Sequence, residues 1–406
     1  MSGHGDEAPS PDELAGVFHV AAVDRTDGTV RYFGEPLVRP DAVVETLRPQ
    51  FAQSGYSLSL ERQPHSPGQP GGGAPTQPAT GPPVQPAEGG FGPPQTQQYA
   101  LVAEPNDNGG IPWLNVVLLV ATVASTLFVG ASSWYYIPVT EQPLRIFEAW
   151  PFVVAMLGVL GIHELGHYAA ARYHGVDVTL PYFIPFPSLL GTMGAVINIR
   201  GRIPSRKALF DIGVAGPLAG LVATVVVTVV GFTLDPIAVP ERVRSGGAEY
   251  AINFHDPLLM QALEAFVTTL GVGTAVGPGE AVHPVVFAGW AGMFFTFLNL
   301  LPVGQLDGGH MVRAMLGPRQ ETVAALVPGV LFGIAAYLHF WRGLGLNESV
   351  GLWTFWGVFA AVIAFNGPAN PTDEEGLGLA RLAVGIATFA VGALCFLLVP
   401  IQVIGA

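Results

Sequence analysis

The chain has 406 residues, half of them hydrophobic and only 12% charged, with a mean hydropathy of +0.46, which is too apolar for one soluble core of that length. Its net charge of -13 argues against nucleic acid as a partner, because binding the phosphate backbone needs clustered cations and the basic residues here are thinly spread. The single cysteine, Cys395, excludes any intrachain disulfide.

Met1 to Gly16 is polar and acidic, with no basic region followed by a long apolar stretch, so no secretory signal is expected. Residues 17 to 62 read as a small mixed segment. Val17 to Val23 alternates, Asp27-Gly28 marks a turn, and a second strand follows near Val30 to Phe33. A helix is expected after Pro40 and a third strand near Ser57 to Glu61. Residues 63 to 97 then hold 10 Pro and 8 Gly in 35 positions, a composition that cannot bury enough apolar surface to offset its ordering entropy, so disorder is expected there. Tyr99 to Glu104 reads as a fourth strand, making the Pro/Gly/Gln-rich stretch an insert within one acidic α/β domain over residues 1 to 105.

Windows 108 to 140, 212 to 234, 281 to 306 and 382 to 406 contain no Asp, Glu, Lys or Arg, and a bilayer span needs about 20 apolar residues. The expected fold from residue 110 to 406 is an α-helical polytopic membrane domain with six to eight spans. Spans are placed near 112 to 136, 150 to 173, 208 to 233, 284 to 304, 322 to 341, 351 to 367 and 380 to 401. Residues 257 to 274 include Glu264 and suit an interfacial helix. Leu180 to Arg202, rich in Pro, Phe and Gly, suits a non-helical excursion lining a cavity, since lipid-exposed irregular backbone is not tolerated. Arg172, Arg200, Arg202, Arg206 and Lys207 flank that loop, whereas the loop after the first span offers only Arg145. By the positive-inside rule the later loop and the N-terminal domain face the cytoplasm of a multi-pass cell-membrane protein.

The second span carries His163-Glu164-Leu165-Gly166-His167, an HExxH pattern. On a helix the two histidines project from one face about 6 Å apart along the axis, close enough to share one tetrahedral zinc. Glu164 stands beside them as a general acid/base. A chance match or a polar helix face is the bland alternative. Ionisable groups at mid-bilayer depth, however, cost several kcal/mol unless paired, coordinated or hydrated, and so mark function. Two histidines leave zinc short of a protein ligand. Asp307, in the stretch Asn299 to His310 (NLLPVGQLDGGH), follows a Pro and a Gly that end span four. Asp307 taken alone also reads as a cap on the next helix, and His310 is a competing ligand.

These residues resemble the site-2-type intramembrane zinc metalloproteases, which carry HExxH on one membrane helix and an Asn-Pro-Asp-Gly-type motif on a later one. The resemblance covers most of residues 110 to 400 and includes GTMGA at 191 to 195, AGPLAG at 215 to 220 and NLLPVGQLDGGH at 299 to 310. It looks closest to the branch with plant chloroplast and archaeal members. The resemblance implies one Zn2+ per chain held by His163, His167 and Asp307, with Glu164 as catalytic acid/base. It further implies Asn299 as a substrate-orienting or oxyanion-stabilising residue, and Gly191 and Gly194 in a membrane-embedded loop that holds extended substrate. The partners implied are transmembrane protein substrates within membrane lipid. No inserted PDZ-type domain is recognisable. A metal-binding membrane transporter and a catalytically inactive scaffold are the rival classes. Glu164, needless as a transport ligand, speaks against the first, and the intact set of four residues against the second.

Overall fold

The computed structural model describes residues 8–26, 28–62, 99–105, 112–200, 203–244, 250–364, 367, 369, 371–373 and 375–405. The chain forms two compact units, Met1–Ile111 and Pro112–Ala406. In the first, a short helix α1 (Pro11–Leu14) precedes β1 (Phe18–Thr26), β2 (Thr29–Pro36), α2 (Pro40–Gln53), β3 (Tyr56–Arg62) and β4 (Tyr99–Pro105). The strands pair antiparallel in the order β1-β2-β4-β3. The predicted strand-strand-helix-strand-strand order is thus observed, while the stretch expected to be disordered, residues 63 to 97, lies outside the described residues. The core joins Phe18, Tyr32 and Leu101 of the sheet to Val43, Leu47 and Phe51 of α2. Tyr32 and Phe51 meet edge to face at 6.0 Å, and the Tyr32 hydroxyl donates to the Pro9 carbonyl at 2.5 Å.

The second unit is mostly helical. Helix α3 (Trp113–Val129) runs on through a π-helical turn to Trp134, and α4 (Trp150–Tyr173) follows a 3-10 turn at Pro143–Ala149. The excursion expected between spans two and three is a hairpin, β5 (Tyr182–Pro185) with β6 (Thr192–Val196). Then come α5 (Arg206–Thr233), β7 (Ile237–Ala238), α6 (Glu241–Arg244), β8 (Tyr250–Phe254), α7 (Leu258–Thr269) and β9 (Glu280–Ala281). The unit ends with α8 (Pro284–Asn299), α9 (Asp307–Leu316), α10 (Gln320–Phe340), α11 (Ser349–Ala364), α12 (Leu379–Leu394) and β10 (Ile401–Gly405).

Among the described residues, four stretches are long and apolar enough to cross a membrane: Trp113–Trp134, Pro143–Tyr173, Arg206–Thr233 and Asp307–Phe340. The last is interrupted, because Gly317 takes φ +63° and Pro318 follows it, which separates α9 from α10. Helices α8, α11 and α12 have 16 residues each, about 24 Å at the α-helical rise and short of a core about 30 Å thick. Burial explains why α8 can be short: 12 of its 16 residues are buried, so it is surrounded by protein, as an all-apolar helix in the interior must be. The expected span 380 to 401 ends at Leu394, and its tail becomes β10, paired antiparallel with β8. Side chains of α11 hold that tail, with Trp353 Nε1 donating to the Leu398 carbonyl at 2.9 Å and Ser349 Oγ to the Ile401 carbonyl at 2.6 Å.

Candidate active site

Helix α4 enters through Trp150-Pro151, with proline in the first turn where its missing N–H is harmless. It stops at Gly175, whose φ of +68° ends the helix while Val176 N–H donates back to the Ala171 carbonyl. The second half of α4 carries His163, Glu164 and His167, all three buried. Helix α8 brings Asn299 to the same place at its C-terminal end. The chain then turns through Pro302 and Gly304 (φ +52°) so that Asp307 opens α9.

Asp307 does not act as the N-cap of α9; Leu306 occupies that position and makes no side-chain cap. Instead one carboxylate oxygen of Asp307 lies 3.1 Å from His163 Nε2 and the other 3.1 Å from His167 Nε2. The two Nε2 atoms are 3.2 Å apart. A tetrahedral zinc with bonds of about 2.0–2.1 Å separates its donors by about 3.3–3.4 Å, so the spacing fits that ion. One ligand atom from each of the three residues falls within 4.8 Å of the others. His167 Nδ1 lies 2.7 Å from the Ile212 carbonyl of α5. Donation of the Nδ1 proton to that carbonyl leaves the Nε2 lone pair facing the cluster, the outer hydrogen bond that zinc-ligating histidines usually make.

Asn299 Nδ2 stands 3.3 Å from His163 Nε2, and Ile197, one residue past β6, lines the same cavity as Glu164. A cavity of about 500 Å³ opens beside these groups, lined also by Ala195, Ile199, Gln305 and His310. That is ample space for several waters. The structure therefore brings together His163, Glu164, His167, Asn299 and Asp307. It does not bring Gly191 or Gly194 to the cavity wall, which residues 195 to 199 form instead. Gly191 serves the hairpin turn: its φ is +75°, and a Cβ there would lie 2.8 Å from Thr126 N in α3. Gly194, at φ +116°, has open space around it. Sequence reasoning missed Ile212, which acts through its backbone carbonyl and leaves no side-chain signal.

Residues 151–338 match the sequence profile of peptidase family M50. The chain is 31% identical over 367 residues to the probable zinc metalloprotease EGY1, chloroplastic, of Arabidopsis thaliana, an alignment covering 84% of this chain and 60% of the relative. It is 30% identical over 302 residues to the probable zinc metallopeptidase EGY3, chloroplastic, of the same plant, covering 70% and 49%. To the probable zinc metalloprotease EGY2, chloroplastic, of Oryza sativa subsp. indica it is 31% identical over 221 residues, covering 53% and 36%. This chain spans 60% or less of the length of each of these relatives. With the profile match running through both the HExxH helix and the Asp307 stretch, the chain belongs to peptidase family M50.

Proposed function

We propose that the protein is an intramembrane zinc metalloendopeptidase that cuts peptide bonds in or near transmembrane segments of membrane proteins. The observation that carries this reading is the convergence of His163, His167 and Asp307 on one point, beside Glu164 and a cavity roomy enough for water, on helices able to cross a membrane. The M50 profile and the printed names of the relatives support zinc as the metal and proteolysis as the activity. His163, His167 and Asp307 would hold one zinc per chain. When bound, zinc supplies Lewis acidity and makes water a nucleophile near neutral pH.

The residues of the chain divide the remaining work. Glu164 takes a proton from the attacking water as its oxygen bonds to the scissile carbonyl carbon, and gives that proton to the amide nitrogen as the C–N bond breaks. Asn299 Nδ2 donates to the oxyanion that develops on the carbonyl oxygen. The substrate is an unwound, extended segment, because a helical one keeps its carbonyls in hydrogen bonds, and residues 195 to 199 are the strand-like wall against which it lies. Gly191 and Gly194 act on substrate only through the shape of this hairpin.

The finer topology belongs to the same proposal: six to eight spans in the cell membrane, a protease domain over residues 110 to 406, and a cytoplasmic domain over residues 1 to 105. The cation count around Arg172, Arg200 and Lys207 supports the orientation. The test is cleavage of a membrane-embedded substrate by purified protein, abolished by a chelator and restored by Zn2+. Cleavage that persists in the zinc-free protein would defeat the proposal.

A further inference from the structure

The AGPLAG stretch, Ala215 to Gly220 of α5, takes no part in the chemistry above, yet it lies against both histidines. Helices α4 and α5 meet there at close range. A methyl at Gly166 of α4 would come within 2.6 Å of the Ala215 carbonyl oxygen and 3.0 Å of the Ala219 methyl. On the facing side, a Cβ at Gly216 would lie 2.5 Å from Cε1 of His167 and closer still to Cδ2 and Nε2. Meeting all three ring atoms, that carbon would sit over the ring face and not in line with the Nε2 lone pair. A Cβ at Gly220 would lie 2.7 Å from His163 Nδ1 and 3.0 Å from His163 Cβ.

The two glycines are four residues apart on α5, as the two histidines are on α4, and they pair in opposite chain order, 216 with 167 and 220 with 163. A spacing of four keeps each set on one helix face. One turn before Gly216, the same face of α5 presents the Ile212 carbonyl to His167 Nδ1. Pro217 lies between the glycines and has no N–H to offer the Gly213 carbonyl, which loosens the helix ladder beside Ile212. A seam of small residues alone would explain only a close helix crossing. Here the missing side chains lie on the donor rings themselves, and the adjoining turn supplies the outer hydrogen bond.

We infer that Gly216 and Gly220 are positioning residues for the metal donors. Gly216 and the Ile212 carbonyl fix the plane of the His167 imidazole, Gly220 fixes the His163 side chain, and both Nε2 atoms are thereby held toward Asp307. The inference rests on the zinc reading of that cluster, and its test separates the two.

The full chain is purified in detergent, stripped of metal, and titrated with Zn2+ against a chromophoric chelator, while thermal unfolding of the zinc-free form is recorded. Gly216→Ala and Gly220→Ala are compared with Leu218→Ala, which alters an exposed position on the same turn. Gly216→Ala is expected to weaken zinc binding at least about tenfold, the range seen when outer partners of a zinc ligand are lost. Gly220→Ala should weaken it less, in keeping with its smaller overlap. The zinc-free unfolding temperature should move little more than in the control. Unchanged zinc affinity in both glycine variants would overturn the inference, as would failure of both to fold without zinc, since the glycines would then serve helix pairing alone. If only Gly216→Ala fails to fold, the affinity of Gly220→Ala decides. Absence of zinc binding by the unaltered chain would instead bring down the zinc reading itself.

Discussion

Asparagine in place of Asp307 keeps the shape of the side chain and removes its charge. In the structure that charge sits 3.1 Å from each of two imidazole nitrogens, so the change turns a donor set of two neutral rings and an anion into three neutral groups. Partners one step removed from a zinc ligand already alter affinity by about 10- to 100-fold. The charge of a direct donor exceeds that, so Asp307→Asn should weaken zinc binding at least about 100-fold, or about 2.8 kcal/mol. Competition with a chromophoric chelator, on purified chain in detergent, reads this directly. His310→Ala is the matched comparison. His310 lines the same cavity, and its buried Nδ1 has no hydrogen-bond partner among the described residues, yet it lies outside the three-residue donor cluster. It should leave zinc affinity within about threefold. Near-normal binding by Asp307→Asn, with loss in His310→Ala, would refute the assignment and move the third ligand to His310.

Tyr32 makes the N-terminal sheet sensitive to alkali. Burial is the largest influence on its phenol and pushes it up to about 12 from an ordinary value of 10, against the opposing pull of Arg25. The folded form therefore keeps a proton that the unfolded form releases first, so stability is full below pH 10 and falls as pH rises from 10 to about 12. Hydrogen exchange of the sheet should show that fall in the unaltered chain and lack it in Tyr32→Phe; identical pH profiles would contradict the reasoning. Arg62 and Tyr99 are direct cross-strand partners, so replacing residues 63–98 by a two-residue Asn-Gly turn should close β3 and β4 as a hairpin. Sheet exchange rates and zinc content should be unchanged, and loss of the sheet would show that the replaced stretch is needed for it. Arg381 forms a two-pronged pair with Asp211 at 2.8 and 2.9 Å. The pair is partly exposed, so Arg381→Ala should lower the unfolding temperature by no more than about 2 °C and leave zinc affinity intact; loss of zinc would assign the pair a role at the site.

Local pattern carried much of this architecture into the sequence. The alternation of Val17 to Val23 and the Asp27-Gly28 turn gave the first hairpin, and charge-free windows located α3, α5, α8 and α12 of the second unit. Helix ends were less legible. The apolar run past Leu394 has the composition of a continuing span, but its tail pairs with β8, about 150 residues earlier in the chain, and such a pairing leaves no local mark. The same holds for the 180 to 200 loop, where Pro and Gly signalled irregular backbone but not a hairpin. Within the site, HExxH spacing was sufficient to put two imidazoles on one face. Asp307 was ambiguous between cap and ligand, because an aspartate opening a helix suits both; the turn through Gly304 and the position of α8 resolve its placement beside the histidines. The contribution of Gly216 and Gly220 needed the distance from α5 to the rings, which no single-helix pattern contains.

The central claim is that Glu164 transfers the proton of the attacking water within a zinc site built by His163, His167 and Asp307. The measurement that tests it most directly is cleavage of a membrane-embedded substrate by Glu164→Gln, with bound zinc quantified in the same sample. Glutamine is nearly isosteric and cannot accept the proton, so zinc should remain at about one per chain while cleavage falls to the level of the zinc-stripped protein. Cleavage at the unaltered rate with zinc bound would contradict the account.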